Sequence, residues 1–294
     1  MSNRINVSKT YKIFIGGKFL RTESGRYYKL EVKNKFIANI CLSSKKDLRN
    51  AVVASRNAFD VWSRLSAYNR SQILYRIAEM MEGRKAQFIE EIILQGINST
   101  TAKKEINTSI DRIIYYAGWA DKINQVFGSI NPIASSHFNF SLFEPMGVVG
   151  IVLPETPSIL GLVSMLCPVI LSGNTAVLIS SESIPLSAVT FAEVLLNSDV
   201  PNGCVNILTG KKIELIPHLT KHMDVNAIFL NNDDKEFQKN IELDAASNLK
   251  RVILSSGIGW TGNVSENPYI VTNFMETKTT WHPIENISDS ENMY

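Results

Sequence analysis

The alternation of apolar strand-like runs with helix-length segments between Gly147 and Leu254 constrains the fold of this chain most. The strand-like runs are Val148 to Leu153, Ala176 to Ile179, Val205 to Leu208, Ala227 to Leu230 and Val252 to Leu254. Two helix-length segments, Ile159 to Leu171 and Leu186 to Leu196, separate the first three runs. Parallel strands need crossover connections of this kind, so the pattern predicts an α/β fold with a parallel sheet and helices on both faces.

The first third of the chain is predicted to be mainly helical after an opening hairpin. Strand-forming residues from Tyr11 to Leu20 flank a Gly-Gly pair, which is typical of a hairpin turn. Helices are predicted over Ser43 to Trp62, which opens with a serine cap, and over Asn69 to Met81, Lys85 to Gln95 and Thr101 to Asn124. Gly173 and Asn174 are interpreted as a tight turn between a helix and a strand.

Two segments outside the α/β alternation also read as strands. Phe138 to Phe143 alternates in period two, and Tyr269 to Trp281 follows a short stretch rich in Gly, Ser and Asn. The polar tail after Pro283 is expected to fray.

Composition and charge exclude several classes of function. The chain has 30 Lys plus Arg against 28 Asp plus Glu, a formal net charge of +2, so neither a nucleic-acid partner nor a membrane-surface partner is expected. The apolar stretch from Gly147 to Ile179 is interrupted by prolines and polar residues, which argues against a membrane span. A polar start predicts no secretory signal, so we expect a cytoplasmic location. Three widely spaced cysteines indicate neither a disulfide framework nor a zinc ribbon.

A set of local motifs resembles the aldehyde dehydrogenase superfamily in order and spacing. They are FIGGKF, RNAFDVWSRLSAYNRSQILYRIAEMM, YYAGWADKI, EPMGVVGIVLP, LSGNTAVLI and VPNGCVNILTG. The resemblance covers nearly the whole chain. It implies a Rossmann-like domain that binds NAD(P), a catalytic domain with a cysteine thiolate, and a small β oligomerisation arm made of two separate pieces.

The resemblance implies a domain division with one domain missing. Residues 1–128 and 148–262 correspond to the NAD(P)-binding-like domain, and residues 129–147 and 265–285 correspond to the oligomerisation arm. The segment NFMETKTTWHP resembles the last strand of the family, yet only 37 of the 294 residues follow Gly257. The chain therefore reads as a fusion across a deletion that removed the catalytic domain.

The catalytic positions implied by the resemblance are degenerate. No cysteine follows Cys204, so the family's nucleophile has no counterpart. The oxyanion-hole asparagine falls at Thr156, and the general-base glutamate falls at Ser255, which cannot take up a proton at neutral pH as a carboxylate can. We expect no catalytic residue in this chain and no activity from it alone.

The cofactor positions are degenerate as well. The lysine that meets the adenosine ribose falls at Ile179, while its companion glutamate is retained as Glu182. The glycine-containing pyrophosphate turn reads as residues 231–236, with Asn232 at a degenerate position and two aspartates where a phosphate would lie. Weak binding of NAD or NADP, or none, is expected. Glu182 can equally be interpreted as an acid that favours the first turn of the following helix.

His218 and His222 are spaced like two ligands on one helical face, but no third ligand accompanies them, so we expect no metal site.

The sequence leaves three functions open. The first is a non-catalytic oxidoreductase-like protein that forms homo-oligomers, or hetero-oligomers with a full-length aldehyde dehydrogenase. The second is an NAD(P)-dependent oxidoreductase acting on aldehydes, or a residual NAD(P)-binding protein. The third is a decayed gene product with no selected role.

Overall fold

Strands and helices alternate along most of the computed structural model, which describes residues 9–255, 259–262 and 265–284. The strands are β1 (Thr10–Tyr11), β2 (Ile13–Ile15), β3 (Lys18–Leu20), β4 (Tyr27–Val32), β5 (Lys35–Cys41), β6 (Ser129–Ile130), β7 (His137–Pro145), β8 (Val148–Val152), β9 (Thr175–Ile179), β10 (Val205–Leu208), β11 (Ala227–Leu230), β12 (Arg251–Leu254) and β13 (Met275–Pro283). The helices are α1 (Lys45–Arg64), α2 (Ala67–Gly83), α3 (Lys85–Leu94), α4 (Ser99–Ala117), α5 (Ile123–Phe127), α6 (Ile159–Leu171), α7 (Leu186–Leu196), α8 (Lys212–Thr220), α9 (Lys235–Ala246) and α10 (Tyr269–Thr272).

The central sheet has seven strands in the order β12-β11-β8-β9-β10-β2-β3. The strands from β12 to β10 are parallel, and the β2–β3 hairpin adds an antiparallel edge. From β8 the chain first moves to β9 and β10, and then returns to β11 and β12 on the other side. The direction of winding therefore switches between β8 and β11, which leaves a crevice at the carboxyl ends of these strands.

Helices cover both faces of this sheet, as the sequence predicted. On one face, side chains of α2, α4, α6 and α7 form the larger core cluster with strand residues such as Val149 and Ile151. On the other face, α1, α8 and α9 pack on Val148, Val152 and their neighbours. All residues of α6 are buried, which explains why this segment is apolar around its whole circumference. The predicted α/β class with a Rossmann-like parallel sheet is confirmed.

The predicted hairpin turn is present between β2 and β3. Gly16 and Gly17 both have positive φ, at 59° and 77°, as a two-residue hairpin turn of the primed type requires. A Cβ atom at Gly17 would also lie 1.9 Å from the Asn202 side-chain oxygen. Glycine is thus required there for both conformation and space.

A second sheet of three strands is formed by two segments far apart in the sequence, in the order β13-β7-β6. The antiparallel register of β13 and β7 runs from the pair Met275 and Pro145 to the pair Pro283 and His137. These strands lie within the two pieces assigned above to an oligomerisation arm. A third small sheet, β1-β5-β4, packs beside α7.

Several local predictions were wrong. Tyr269–Thr272 is helical rather than extended, and the strand begins at Met275. The helix from Thr101 ends at Ala117, where a turn precedes the short α5. The helix cap of α1 is Ser44 instead of Ser43, whose backbone N–H donates to Thr209 O.

Elements without a clear apolar period were missed. β4, β5 and α9 carry mixed burial patterns, and the helix period of α9 is masked by the polar residues at its start. The join inferred after Gly257 and the polar tail from residue 285 onward lie outside the described residues. Within those that are described, no helix combines the length and the apolar character needed to cross a bilayer.

Candidate functional site

A cavity of about 280 Å³ lies in the crevice at the carboxyl ends of the parallel strands. Its apolar lining comes from the ends of β8 and β11 and from the N-terminal halves of α8 and α9: Val152, Leu230, Ile213, Ile216 and Phe237. Its polar lining comes from Glu182, Lys212, Asn231 and Asn232. This is the position where open α/β sheets bind their ligands, so it is the first candidate site in the fold.

Glu182 lines this cavity, but its carboxylate is already engaged. One oxygen accepts the backbone N–H of Lys212 at 2.6 Å, and the other accepts the Lys211 ammonium at 2.9 Å. Glu182 therefore stabilises the N-terminus of α8. The alternative role suggested by the sequence, in the first turn of α7, is not the one that the hydrogen bonds indicate.

Ile179 is the last residue of β9 and is completely buried. It belongs to the apolar cluster beneath α1 and α8, and it is absent from the cavity lining. Of the two positions implied for ribose binding, only Glu182 therefore reaches the crevice.

Side chains of the turn after β11 cap the N-terminus of α9. Asp234 is the helix cap, and its carboxylate accepts the N–H groups of Glu236 at 2.9 Å and Phe237 at 3.2 Å. Asn232 accepts the Asp234 N–H at 2.7 Å. The backbone donors that a pyrophosphate would need are thus bonded to a carboxylate, so these residues do not fit a dinucleotide held by its pyrophosphate at α9.

An ionic cluster beside the crevice was missed in the sequence. Glu155 accepts hydrogen bonds from the Lys212 ammonium, from Ser181 Oγ at 2.8 Å and from Ser183 N at 3.0 Å. Burial would raise the pKa of Glu155, but the hydrogen bonds from Lys212 and Ser183 and the charge of Lys212 hold it at about 2. No sequence motif signalled this cluster, because its members come from the segments that follow three different strands, β8, β9 and β10.

A second cavity, of about 390 Å³, contains Thr156 in its lining together with Glu105 and Trp260. Glu105 is buried and accepts the N–H groups of Ile159 at 2.8 Å and Leu160 at 3.3 Å at the start of α6. Burial raises the pKa of this carboxyl, although those backbone hydrogen bonds oppose the shift. Glu105 was also missed, since it is one of several charged residues along α4.

Ser255 lies at the end of β12, is 4% exposed and lines neither cavity. Its hydroxyl lies 3.4 Å from Leu230 O, and its backbone N–H donates to the same oxygen at 3.0 Å. The two degenerate catalytic positions, Thr156 and Ser255, therefore do not share a cavity.

All three cysteines are buried and unpaired. Burial raises the pKa of the Cys167 and Cys204 thiols far above the usual range, and nearby arginines offset this only in part. Buried thiols of this kind are poor nucleophiles.

The two histidines do not share a helical face. His218 is in the last turn of α8, whereas His222 follows the end of that helix. In the part of the chain that the structure describes, no three His, Cys, Asp or Glu side chains come together as a metal-binding group.

Comparison with known proteins identifies the family. Residues 24–280 match the aldehyde dehydrogenase family. The chain belongs to the aldehyde dehydrogenase family. It is 31% identical over 264 residues to cytosolic 10-formyltetrahydrofolate dehydrogenase of Mus musculus, and 30% identical over 265 residues to the Homo sapiens protein of that name.

Solved structures share the fold of this chain and are covered by it over about half of their length. The NAD+ complex of aldehyde dehydrogenase from Bacillus cereus superposes with a TM-score of 0.80 at 25% identity, covering 85% of this chain and 51% of that protein. HpcC from Thermus thermophilus also has a TM-score of 0.80, with 26% identity and 48% of its chain covered. The mouse relative is covered over 29% of its length. This chain thus spans about half of the structural relatives and less than a third of the mouse enzyme.

Proposed function

We propose that this chain is a non-catalytic member of the aldehyde dehydrogenase family, a pseudoenzyme that acts as a structural or regulatory partner of itself or of a complete aldehyde dehydrogenase. The observation that carries the proposal is the edge position of β13. This strand has nine residues, and its outer edge pairs with no strand among the described residues. An extended free edge can accept another strand by main-chain hydrogen bonding.

Exposed apolar side chains lie on both faces of the three-stranded sheet. Ile130 on β6 and Phe138 and Leu142 on β7 share one face and are 72%, 44% and 40% exposed, while Trp281 on β13, which pairs with Asn139, lies on the opposite face and is 58% exposed. Large exposed apolar side chains on one small sheet favour association with another protein surface.

The three-stranded sheet is also held firmly to the rest of the molecule. Phe274, just before β13, is fully buried, and its ring packs against Phe229 of β11 at a centroid distance of 5.1 Å. Arg251 of β12 donates to Met275 O at 3.0 Å and pairs with Glu276 at 2.9 Å. A partner bound at β13 would therefore be coupled to the main sheet.

The chemistry of the described residues supports a role without catalysis. The three thiols are buried, and serine and threonine stand at the implied positions of base and oxyanion donor. Members of the family bind NAD(P), but the capped N-terminus of α9 favours weak binding or none here. We also propose a cytoplasmic location, which the three unpaired cysteines support.

Native mass spectrometry and light scattering of the purified chain, alone and with a complete aldehyde dehydrogenase, test the proposal. We predict a defined oligomer, and we predict that Trp281→Lys weakens the assembly by about tenfold or more in Kd, because it places a charge on the proposed interface. The matched control is Tyr68→Lys, since Tyr68 is 66% exposed and lies on α2, outside the three-stranded sheet.

A chain that stays monomeric at high concentration and binds no complete family member would contradict the proposal. If Trp281→Lys and Tyr68→Lys weakened the assembly equally, β13 would not form the interface. Aldehyde oxidation by the purified chain alone would instead favour the oxidoreductase alternative.

A further inference from the structure

The packing of α1 against α8 brings two pairs of basic side chains together on the surface. Lys45 and Arg49 lie four residues apart at the start of α1 and are exposed, and His218 and His222, with the same spacing at the end of α8, are partly exposed. Burial and the charge of Lys45 lower the pKa of His218. Burial and the charges of Lys250 and Arg49 lower the pKa of His222. The four side chains that pair across this contact form one surface, the basic seam.

The two permanent cations of the seam lack the carboxylate partner that a neighbouring residue has. Lys46, directly after Lys45, pairs with Glu23 at 2.6 Å. In the part of the chain that the structure describes, neither Lys45 nor Arg49 lies within salt-bridge distance of a carboxylate. Like charges four residues apart on a helix repel each other. A bound anionic group would offset this repulsion, so the seam is suited to a negatively charged partner.

His222 adds a hydrogen-bond donor at neutral pH. Its Nδ1 atom accepts the backbone N–H of Asp224 at 3.2 Å. In a neutral imidazole one nitrogen accepts and the other carries the proton, so Nε2 is the donor. The Asp224 carboxylate opposes the downward shift of the His222 pKa without reversing it, which leaves the ring neutral and its Nε2–H available.

His218 makes the charge of the seam depend on pH. Burial, Lys45 and Lys221 all lower the pKa of His218 from its usual 6.5, and Lys221 itself pairs with Asp244 of α9 at 3.4 Å. An anion bound beside His218 would raise that pKa, because it favours the protonated imidazole. Binding of an anion should therefore take up protons and strengthen as the pH falls.

Exposed apolar side chains lie next to these basic groups. Val53, one turn after Arg49 on α1, is 47% exposed, and Met223, which follows the second histidine, is 71% exposed. Arg56 donates to Asp224 O at 2.6 Å, so this part of α1 lies beside the segment that contains Met223. Apolar contacts next to cations suit a polypeptide with acidic and apolar side chains better than a phosphate polymer.

We propose that the basic seam binds an acidic polypeptide segment of a partner protein, with an apolar side chain of that segment packed on Val53 and Met223. The seam belongs to the helices on one face of the central sheet and includes no residue of the three-stranded sheet. The inference therefore goes beyond the proposed function, and binding at the seam is measured independently of assembly through β13.

Fluorescence anisotropy of the full chain with three labelled probes of equal charge tests the proposal. The probes are a peptide of glutamate and leucine, a peptide of glutamate and glycine, and a single-stranded oligonucleotide. We expect the glutamate–leucine peptide to bind most tightly. Lys45→Gln/Arg49→Gln should weaken its binding by about tenfold at low salt, because two unscreened attractive charges are removed. The control Lys103→Gln/Lys104→Gln, at exposed positions on α4, changes the net charge equally and should leave the affinity unchanged.

The affinity should also rise about threefold from about pH 8 to pH 6, and His218→Gln should remove most of this rise. The proposal is overturned if the glutamate–leucine peptide does not bind, if both double variants weaken binding equally, or if another probe binds as tightly. A pH dependence that His218→Gln leaves intact would also contradict it. Circular dichroism establishes that the variants are folded.

Discussion

At the scale of single residues, Lys250 shows how burial changes a side chain's chemistry. It precedes β12, is 7% exposed, and donates to His222 O at 2.7 Å and to Val225 O at 2.8 Å. Burial of the ammonium lowers its pKa from 10.5 to about 8. The two carbonyls hold the side chain in place, while the low-dielectric surroundings disfavour its charge.

The pH dependence of stability follows from this shift. Between pH 8 and 10.5 the unfolded chain binds more protons at Lys250 than the folded chain, so this residue's contribution to stability rises with pH. Relative to Lys250→Met, the free energy of unfolding should increase by about 2 kcal/mol across that window. Urea denaturation at several pH values measures it. Lys239→Met, at an exposed site on α9, should leave the pH profile unchanged, and parallel profiles for the unmodified chain and Lys250→Met would contradict the assignment.

At the scale of secondary structure, side-chain hydrogen bonds in the first turn of α1 fix where this helix begins. Ser44 and Asp47 form a capping box, in which Asp47 accepts the Ser44 N–H at 2.8 Å. The second Asp47 oxygen accepts the Glu23 N–H at 3.0 Å, which ties the loop after the hairpin to the helix. Asp47 is therefore buried although it is charged.

Asp47→Ala should lower the free energy of unfolding by about 2 kcal/mol, because it removes the carboxylate of the capping box and leaves the backbone N–H groups of Ser44 and Glu23 without their acceptor. Asp60→Ala on the same helix removes only an exposed ion pair with Arg64 and should cost less than about 0.5 kcal/mol. Chemical denaturation of both variants checks the difference. Similar losses at the two positions would show that the cap does not control this helix.

At the scale of the whole molecule, Asn174 joins the main sheet to the three-stranded sheet. Its side chain accepts the Gly147 N–H at 2.8 Å and donates to Phe274 O at 2.6 Å and to Ser172 Oγ at 2.7 Å. Asn174 is completely buried. One amide thus satisfies groups from the start of β8, the end of α6 and the segment before β13.

Asn174→Ala should destabilise the chain by about 3 kcal/mol, since it leaves buried backbone groups unsatisfied. Hydrogen exchange should also become faster in β13 than in β9, because the substitution loosens the connection between the two sheets. Asn197→Ala, which loses a single exposed contact to Glu193 O, serves as the control. Unchanged exchange in β13 would mean that Phe274 and Arg251 hold that strand without Asn174.

The sequence alone determined the α/β class, the family and most of the parallel strands. These features depend on local apolar periodicity and on motifs that are contiguous in the chain, so they can be read residue by residue. Ile159–Leu171 and Leu186–Leu196 were predicted with the bounds that the structure has. The division into domains and the roles of Thr156, Ile179, Glu182, Asn232 and Ser255 stay predictions.

Only the tertiary structure decided what those residues contact. Glu182 belongs to the N-terminus of α8, Lys212 reaches Glu155 across the crevice, and β13 lies at a free edge of the described sheet after pairing with β7. Each of these contacts joins residues that are distant in the sequence, and their hydrogen bonds depend on how the loops after different strands converge. Local patterns carry no information about that convergence, which explains why the fold was predictable and the chemistry of the crevice was not.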